Sequence, residues 1–153
     1  MKTLVVYDSK FGNTEKIAKA ISSAIKNSKL SLVNDIKIDD LKKFDLIIVG
    51  SPTQGGRPTQ AIQNFGKSLP PKLLKHAKAA AFDTRILAKD QKIALRLLIR
   101  TIGYAAEKIA SCLKQKGAKQ IVGVEGFMVN SKTGPLKEGE LERAANWAIE
   151  ISK

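Results

Sequence analysis

The run Asp45-Leu46-Ile47-Ile48-Val49-Gly50 is apolar at every interior position, with no polar residue alternating into it. A strand with one wet face alternates; a strand without alternation needs cover on both faces. Thr3 to Tyr7 (TLVVY) has the same character, and Lys78 to Phe82 (KAAAF) is a further short run. Between these runs lie longer stretches with apolar residues three and four apart, the spacing of a helix with one buried stripe. Ile17, Ala20, Ile21, Ala24 and Ile25 make one stripe, in a helix starting at Asn13 or Thr14. Ile62, Phe65 and Leu69 make another, from about Thr59 to Lys67, stopped by Pro70-Pro71. A weaker strand is expected around Leu30 to Val33, and a fifth over Gln120 to Val124, resuming at Gly126 to Val129 after an interruption. Lys89 to Lys116 is helical in pattern, with a break near Gly103. The last helix should run from about Glu138 to Ile151, with Leu141, Ala144, Ala145, Ala148 and Ile149 inward.

Five strands with intervening helices imply a parallel sheet covered on both faces, with right-handed crossovers. The 153 residues suit one α/β domain, 1–153, with a full core. In such a sheet ligands bind at the carboxyl ends of the strands, near the switch in strand order. The loops after the first, third and fourth strands therefore matter most.

The first loop, Ser9-Lys10-Phe11-Gly12-Asn13-Thr14, runs straight into a helix. Free amides and the positive end of the helix dipole favour an anion there. Ser9, Asn13 and Thr14 add side-chain donors, Gly12 allows close backbone approach, and Lys10 adds charge. The loop lacks the Lys-Ser or Lys-Thr of a Walker sequence and is not G-x-G-x-x-G. Taken alone, it reads first as an ordinary capped helix start. The second loop, GSPTQGGRPTQ, follows the strongest strand. Pro52 fixes a turn, and Gly55-Gly56 offers backbone that can flip or lie against a planar ring.

S-x-x-G-N-T after the first strand and G-S-P-T-x-G-G after the third resemble the flavodoxin family. The third loop, Ala81-Phe82-Asp83-Thr84-Arg85, and the ending GFMVNSKTGPLKEGELERAANWA resemble it too. The likeness spans nearly the whole chain, with an unusual section near residues 86–103. It implies a flavodoxin-like doubly wound three-layer sandwich, a five-stranded parallel sheet of order 2-1-3-4-5 with helices on both faces. It also implies bound FMN. Ser9, Lys10, Phe11, Gly12, Asn13 and Thr14 would hold the 5′-phosphate. Pro52, Thr53, Gln54, Gly55 and Gly56, preceded by Ser51, would run along the isoalloxazine, with Gly55-Gly56 near N5. Asp83, Thr84 and Arg85 would border the pyrimidine side.

The chain departs from the family pattern in two ways. Many flavodoxins stack a Trp or Tyr on the flavin from the second or third loop, whereas here Gln54, Arg57, Arg85 and Ile86 stand there. Trp147 is expected to pack in the last helix, and Tyr104 to lie within a helix well past the third loop. Weak stacking would lower FMN affinity. Members are also typically acidic, whereas this chain has 27 Lys and Arg against 14 Asp and Glu, a net charge of +13. Lys67 to Lys119 alone holds 13 basic and 3 acidic residues. Lys10, Arg57 and Arg85 beside the flavin should make its potential less negative than in acidic members.

Such a surface attracts anions. In ILAKDQKIALRLLIR, Lys89, Lys92, Arg96 and Arg100 share one helical face and Ile93, Leu97 and Leu98 another. General amphipathicity favours an apolar face laid on the sheet; the sharper reading is docking to an acidic protein or an anionic membrane. Nucleic acid is not expected, because the aromatic platforms of single-strand binders are missing. No apolar run approaches the ~18 residues of a span, and MKTLVVYDSK lacks a secretory pattern. With Cys112 the sole cysteine, a cytoplasmic location is expected, peripheral to the membrane if the basic helix docks there. One His and one Cys supply no metal site; His76 should be a solvated surface residue and Cys112 a small buried hydrophobe.

The resemblance favours an electron carrier between redox partner proteins, acidic ones by charge, over an enzyme. The alternatives are an FMN-dependent oxidoreductase, of the NAD(P)H:quinone reductase or membrane-associated oxidase kind, and a flavin-free binding or regulatory domain. The partners and the oligomeric state are not encoded legibly.

Overall fold

The computed structural model describes residues 1–87 and 92–153; Lys89 of the expected basic face lies outside them. Five strands form one sheet: β1 (Thr3–Tyr7), β2 (Ser28–Leu32), β3 (Leu46–Pro52), β4 (Lys78–Arg85) and β5 (Gln120–Met128). Their order is β2-β1-β3-β4-β5, and all four pairings are parallel. The helices are α1 (Asn13–Ala24), α2 (Gln60–Ser68), α3 (Ile93–Ile102), α4 (Ala105–Gln115) and α5 (Glu140–Ile151). This is the doubly wound three-layer arrangement expected, with the strand order expected.

The period of two in the strands divides the core. Leu4, Val6, Ile47, Val49, Ala79 and Ala81 turn to the face covered by α2 and α4. Val5, Leu46, Ile48, Ala80 and Phe82 turn to the face covered by α1 and α5. Leu46 to Val49 are at most 1% exposed, which explains the missing alternation in that run. Each such side chain stabilises the fold by about 1.5–3 kcal/mol relative to exposure.

Gly50 sits opposite Phe82 in the β3–β4 ladder, and a Cβ there would run into the Phe82 ring. That ring meets Phe127 and Trp147 edge-on at centroid distances of 6.2 and 6.5 Å. Trp147 is thus a packing residue, as expected.

Three local readings are corrected. β2 begins at Ser28 rather than near Leu30, because its alternating, half-exposed pattern suits an edge strand. β5 is continuous; the irregularity is a register shift opposite Ala79/Ala80. In α5 the buried residues are Glu140, Ala144, Ala148 and Ile151, whereas Leu141 and Ile149 are exposed at 48% and 47%. The inward stripe is thus turned relative to the expected one, with a buried glutamate at its head.

Glu140 is buried because it has partners. Its Oε2 accepts the Met128 amide at 2.6 Å, and Arg143 donates to both carboxylate oxygens at 2.8 Å. Arg143 also reaches Glu125 at 3.1 Å and lies over the Phe127 ring. This ties α5 to the end of β5. Burial works against ionisation, but the Arg143 and Met128 hydrogen bonds hold the Glu140 carboxyl below its ordinary value.

Two outcomes follow for stability. Gly50→Ala should destabilise by about 1–3 kcal/mol through overpacking against Phe82, read by denaturant unfolding. Glu140, with its folded pKa depressed, contributes stability above the unfolded carboxyl value of about 4.3 that is lost as pH falls through the folded value. Glu140→Gln should therefore cost about 1–3 kcal/mol at pH 7 and show a flatter stability profile than the parent protein on acidification.

Candidate functional site

The parallel register brings the ends of β1, β3 and β4 to one rim, and each ends in a loop that the sequence singled out. In the first loop Gly12 has φ 90°, a conformation that glycine takes at little cost. Ser9 Oγ folds the loop by accepting the amides of Gly12 at 3.1 Å and Glu15 at 3.3 Å. Among the described residues, the amides of Lys10, Phe11, Asn13 and Thr14 then have no protein acceptor. They stand at the positive end of α1, where unsatisfied N–H groups favour an anion. Asn13 and Thr14 are buried. Thr14 Oγ1 shares a 2.8 Å hydrogen bond with Thr84 Oγ1, and Asn13 Nδ2 donates to the Thr133 carbonyl at 3.1 Å. The first loop is thereby tied to the third and to the loop after β5.

In the second loop, Gln54 and Arg57 exchange backbone hydrogen bonds of 2.8 and 3.0 Å around Gly55-Gly56. Both glycines have positive φ, 56° and 75°, as a type I′ turn demands. Lys108 Nζ donates to the Gly56 carbonyl at 2.7 Å, so this backbone is held rather than loose. A Cβ at Gly56 would strike Ile102 at the end of α3. Ser51 is fully buried and accepts the Thr59 amide at 2.9 Å. That bond closes the loop onto α2.

The expected third loop is in fact the end of β4, which continues past Phe82 to Arg85 because Asp83, Thr84 and Arg85 stay paired with β5. This rim segment is organised by Asp83, which has no solvent exposure. Arg85 donates to it twice, at 2.6 and 2.9 Å, and the Ala106 amide donates at 2.8 Å. Burial pushes the Asp83 carboxyl up, against the pull of these donors. Burial also works against the Arg85 charge, but Asp83 and Glu107 hold Arg85 protonated, above its ordinary value. The Tyr104 ring lies over the Arg85 guanidinium, 3.8 Å from its centroid. Ala105 in turn donates to Thr53 Oγ1 at 3.0 Å, so the start of α4 is pinned by the second loop and by β4 together.

The three loops enclose one cavity of about 520 Å³. From the expected set it is lined by Lys10, Phe11, Asn13 and Thr14 of the first loop. The second loop contributes Pro52, Thr53, Gln54, Gly55 and Gly56, and the third Thr84 and Arg85. Ser9, Gly12, Ser51 and Asp83 do not line it; they shape the loops that do. Arg57 is exposed and faces a second groove of about 320 Å³ between α2 and α4. Cys112, half-buried rather than buried, lines that groove too. His76 is exposed, as expected.

Tyr104, Leu98, Ile102, Val129 and Lys132 also line the cavity. Tyr104 is not helical as expected. It precedes α4 in extended conformation, after Gly103 at φ 78° breaks the helical pattern. That break was legible; its effect, which returns an aromatic ring to the rim, was not. The described residues of α3 join neither core, so the expected packing of its apolar face on the sheet does not appear among them. Among the described residues lining the cavity there is no carboxylate, imidazole or thiol.

The family model described as "Flavodoxin domain" matches residues 4–132, a span containing all three loops. No curated protein matches the chain in sequence. Among solved structures, a flavodoxin from the domain Archaea is similar over 99% of this chain and 96% of its own, with TM-score 0.74 and 24% identity. Oxidised flavodoxin 1 of Bacillus cereus is similar over 99% and 97%, with TM-score 0.72 and 20% identity. The flavodiiron protein of Giardia intestinalis is similar over 98% of this chain and 35% of its own, with TM-score 0.67 and 21% identity. At these identities the structural likeness bears on the fold, and the domain match bears on descent. Sheet order, loop positions and domain match agree: the chain belongs to the flavodoxin family.

Proposed function

We propose that the cavity binds FMN and that the protein carries electrons between redox partners. The observation that carries this reading is the set of unsatisfied amides at Lys10, Phe11, Asn13 and Thr14, beside the buried hydroxyl of Thr14. A dianionic phosphate meets there the donors and the dipole it needs. At the other end of the same cavity, the Gly55-Gly56 turn and the Tyr104 ring bound a space suited to a planar ring system. The volume is within the range of small-molecule sites, about 300–1,000 Å³.

FMN would supply the redox chemistry, and the protein would orient it and set its potential. The lining favours carriage over chemistry on a second substrate: its described titratable side chains are Lys10, Arg85, Tyr104 and Lys132, without the carboxylate or imidazole that most often serves as general base. Family membership supports a flavin, and the oxidised flavodoxin among the structural neighbours is a redox protein.

Tyr104 would provide the ring contact absent from the second and third loops. Its ring stacks on Arg85, whose charge Asp83 already compensates. Of the cations expected to act on the flavin, Arg85 is thus largely neutralised and Arg57 faces elsewhere. Lys10 remains, joined by Lys132; among the described residues neither pairs with a carboxylate. Cations beside a bound flavin favour the state with more negative charge.

Calorimetric titration of flavin-free protein should give FMN binding at least roughly tenfold tighter than riboflavin, the phosphate being the difference. Equal affinity, or no heat with either, would remove the reading. Tyr104→Ala should weaken FMN by roughly tenfold, the ~0.5–1.5 kcal/mol of an aromatic contact plus lost apolar burial. In a spectroelectrochemical titration, Lys10→Gln and Lys132→Gln should each make the bound flavin's potential more negative, whereas Lys26→Gln, remote from the rim, should leave it unchanged.

A further inference from the structure

The cavity mouth carries an unusual combination of side chains. Ile93, Leu97 and Leu98 of α3 are 75%, 57% and 50% exposed, and Phe11 on the first loop is 47% exposed. Phe11 and Leu98 both line the cavity, so the apolar exposure of α3 and that of the first loop meet at one opening. At about 100° per residue, Ile93, Leu97, Ala94 and Leu98 fall in an arc of about 140°. Arg96 and Arg100 lie within about 60° of Ile93 on the adjoining side, and Lys92 stands just before the helix. Residues 92–106 contain no Asp or Glu; the next carboxylate, Glu107, faces Arg85 at 3.6 Å. Lys10 and Lys132 add exposed cations at the same mouth.

Aliphatic side chains beside Lys and Arg on a short helix are the composition of a segment lying in the plane of a lipid interface. The apolar arc enters the acyl boundary while long basic side chains reach back to the headgroups. Protein–protein interfaces are enriched in aromatic residues, Met and Arg and depleted in Lys, so Arg96 and Arg100 suit either surface. The aliphatic Ile93, Leu97 and Leu98 together with Lys10, Lys92 and Lys132 favour lipid. The helix does not span: no described helix is long and apolar enough to cross a membrane. The net charge of +13 adds attraction to an anionic surface at longer range.

We infer that α3 and Phe11 form a docking surface for an anionic lipid membrane, and that docking turns the mouth of the cavity toward the headgroups. Electron exchange at this rim would then occur at the membrane surface rather than in bulk water. The docking itself is independent of which ligand the cavity holds.

The test is co-sedimentation of the 153-residue protein with vesicles of phosphatidylcholine, with and without phosphatidylglycerol, at low and high salt. The protein should sediment with the phosphatidylglycerol vesicles at low salt and remain in solution with phosphatidylcholine alone. The double substitution Ile93→Ser/Leu97→Ser should weaken partition by roughly tenfold. Lys92→Gln/Arg100→Gln should do so by a similar factor, while Lys26→Gln/Lys29→Gln should change it little. All three variants alter exposed side chains, and thermal melts matching the parent protein verify their fold. Failure to sediment with either lipid overturns the inference. So does equal loss from the Lys26/Lys29 pair, or undiminished binding by Ile93→Ser/Leu97→Ser. No vesicle binding combined with α3-dependent retention on immobilised polyglutamate would assign the surface to an acidic protein instead.

Discussion

A carboxylate sealed from water at the end of a central strand must be compensated or protonated, since an isolated buried charge is prohibitively costly. Asp83 is compensated three times, by two nitrogens of Arg85 and by the Ala106 amide. Each bond places something else. The Arg85 guanidinium becomes a fixed plane, and the Tyr104 ring rests on it. The Ala106 bond anchors the first turn of α4, and its neighbour Ala105 reaches Thr53 in the second loop. Gly126 supplies the room, since a side chain there would collide with Arg85. One side of the cavity is therefore built by satisfying a single buried charge. Removing Arg85 would leave that charge unpaired, a change that in comparable cases costs about 3–5 kcal/mol.

The opposite side follows another logic. Polar groups there are left open rather than satisfied: among the described residues four amides at the head of α1 have no protein acceptor, in a loop that Ser9 bends. The two sides meet through the Thr14–Thr84 hydrogen bond. A saturated wall facing an unsaturated one is an asymmetry that the proposed ligand, with a flat apolar end and an anionic end, would match.

The layers were legible in the sequence wherever a physical period was clean. The unbroken apolar runs of β1 and β3 required two-sided cover, and the loops after them were found by position. Legibility failed where a residue's place depends on side-chain partners that no period specifies. The burial of Glu140 was not legible, because Arg143 and the Met128 amide, which make it tolerable, cannot be seen as partners in one dimension. Tyr104 was expected within a helix although the break at Gly103 was legible, because a break in period does not say where the chain turns next. Only the three-dimensional return of that segment to the rim makes it a wall of the cavity. Arg85 was counted as a free charge, since a pairing two residues away along a strand depends on side-chain geometry that alternation does not specify.

The chain's sole tryptophan packs edge-on against Phe82 and Phe127, between α5 and the sheet, and does not line the cavity. Phe82 lies in the strand whose end holds Asp83, on the core face that α1 also covers. Indole emission from Trp147 is therefore an intrinsic optical probe of whether the sheet keeps its cover. It will follow the cooperative melting of the scaffold, and a local loosening of α3 should leave it unmoved.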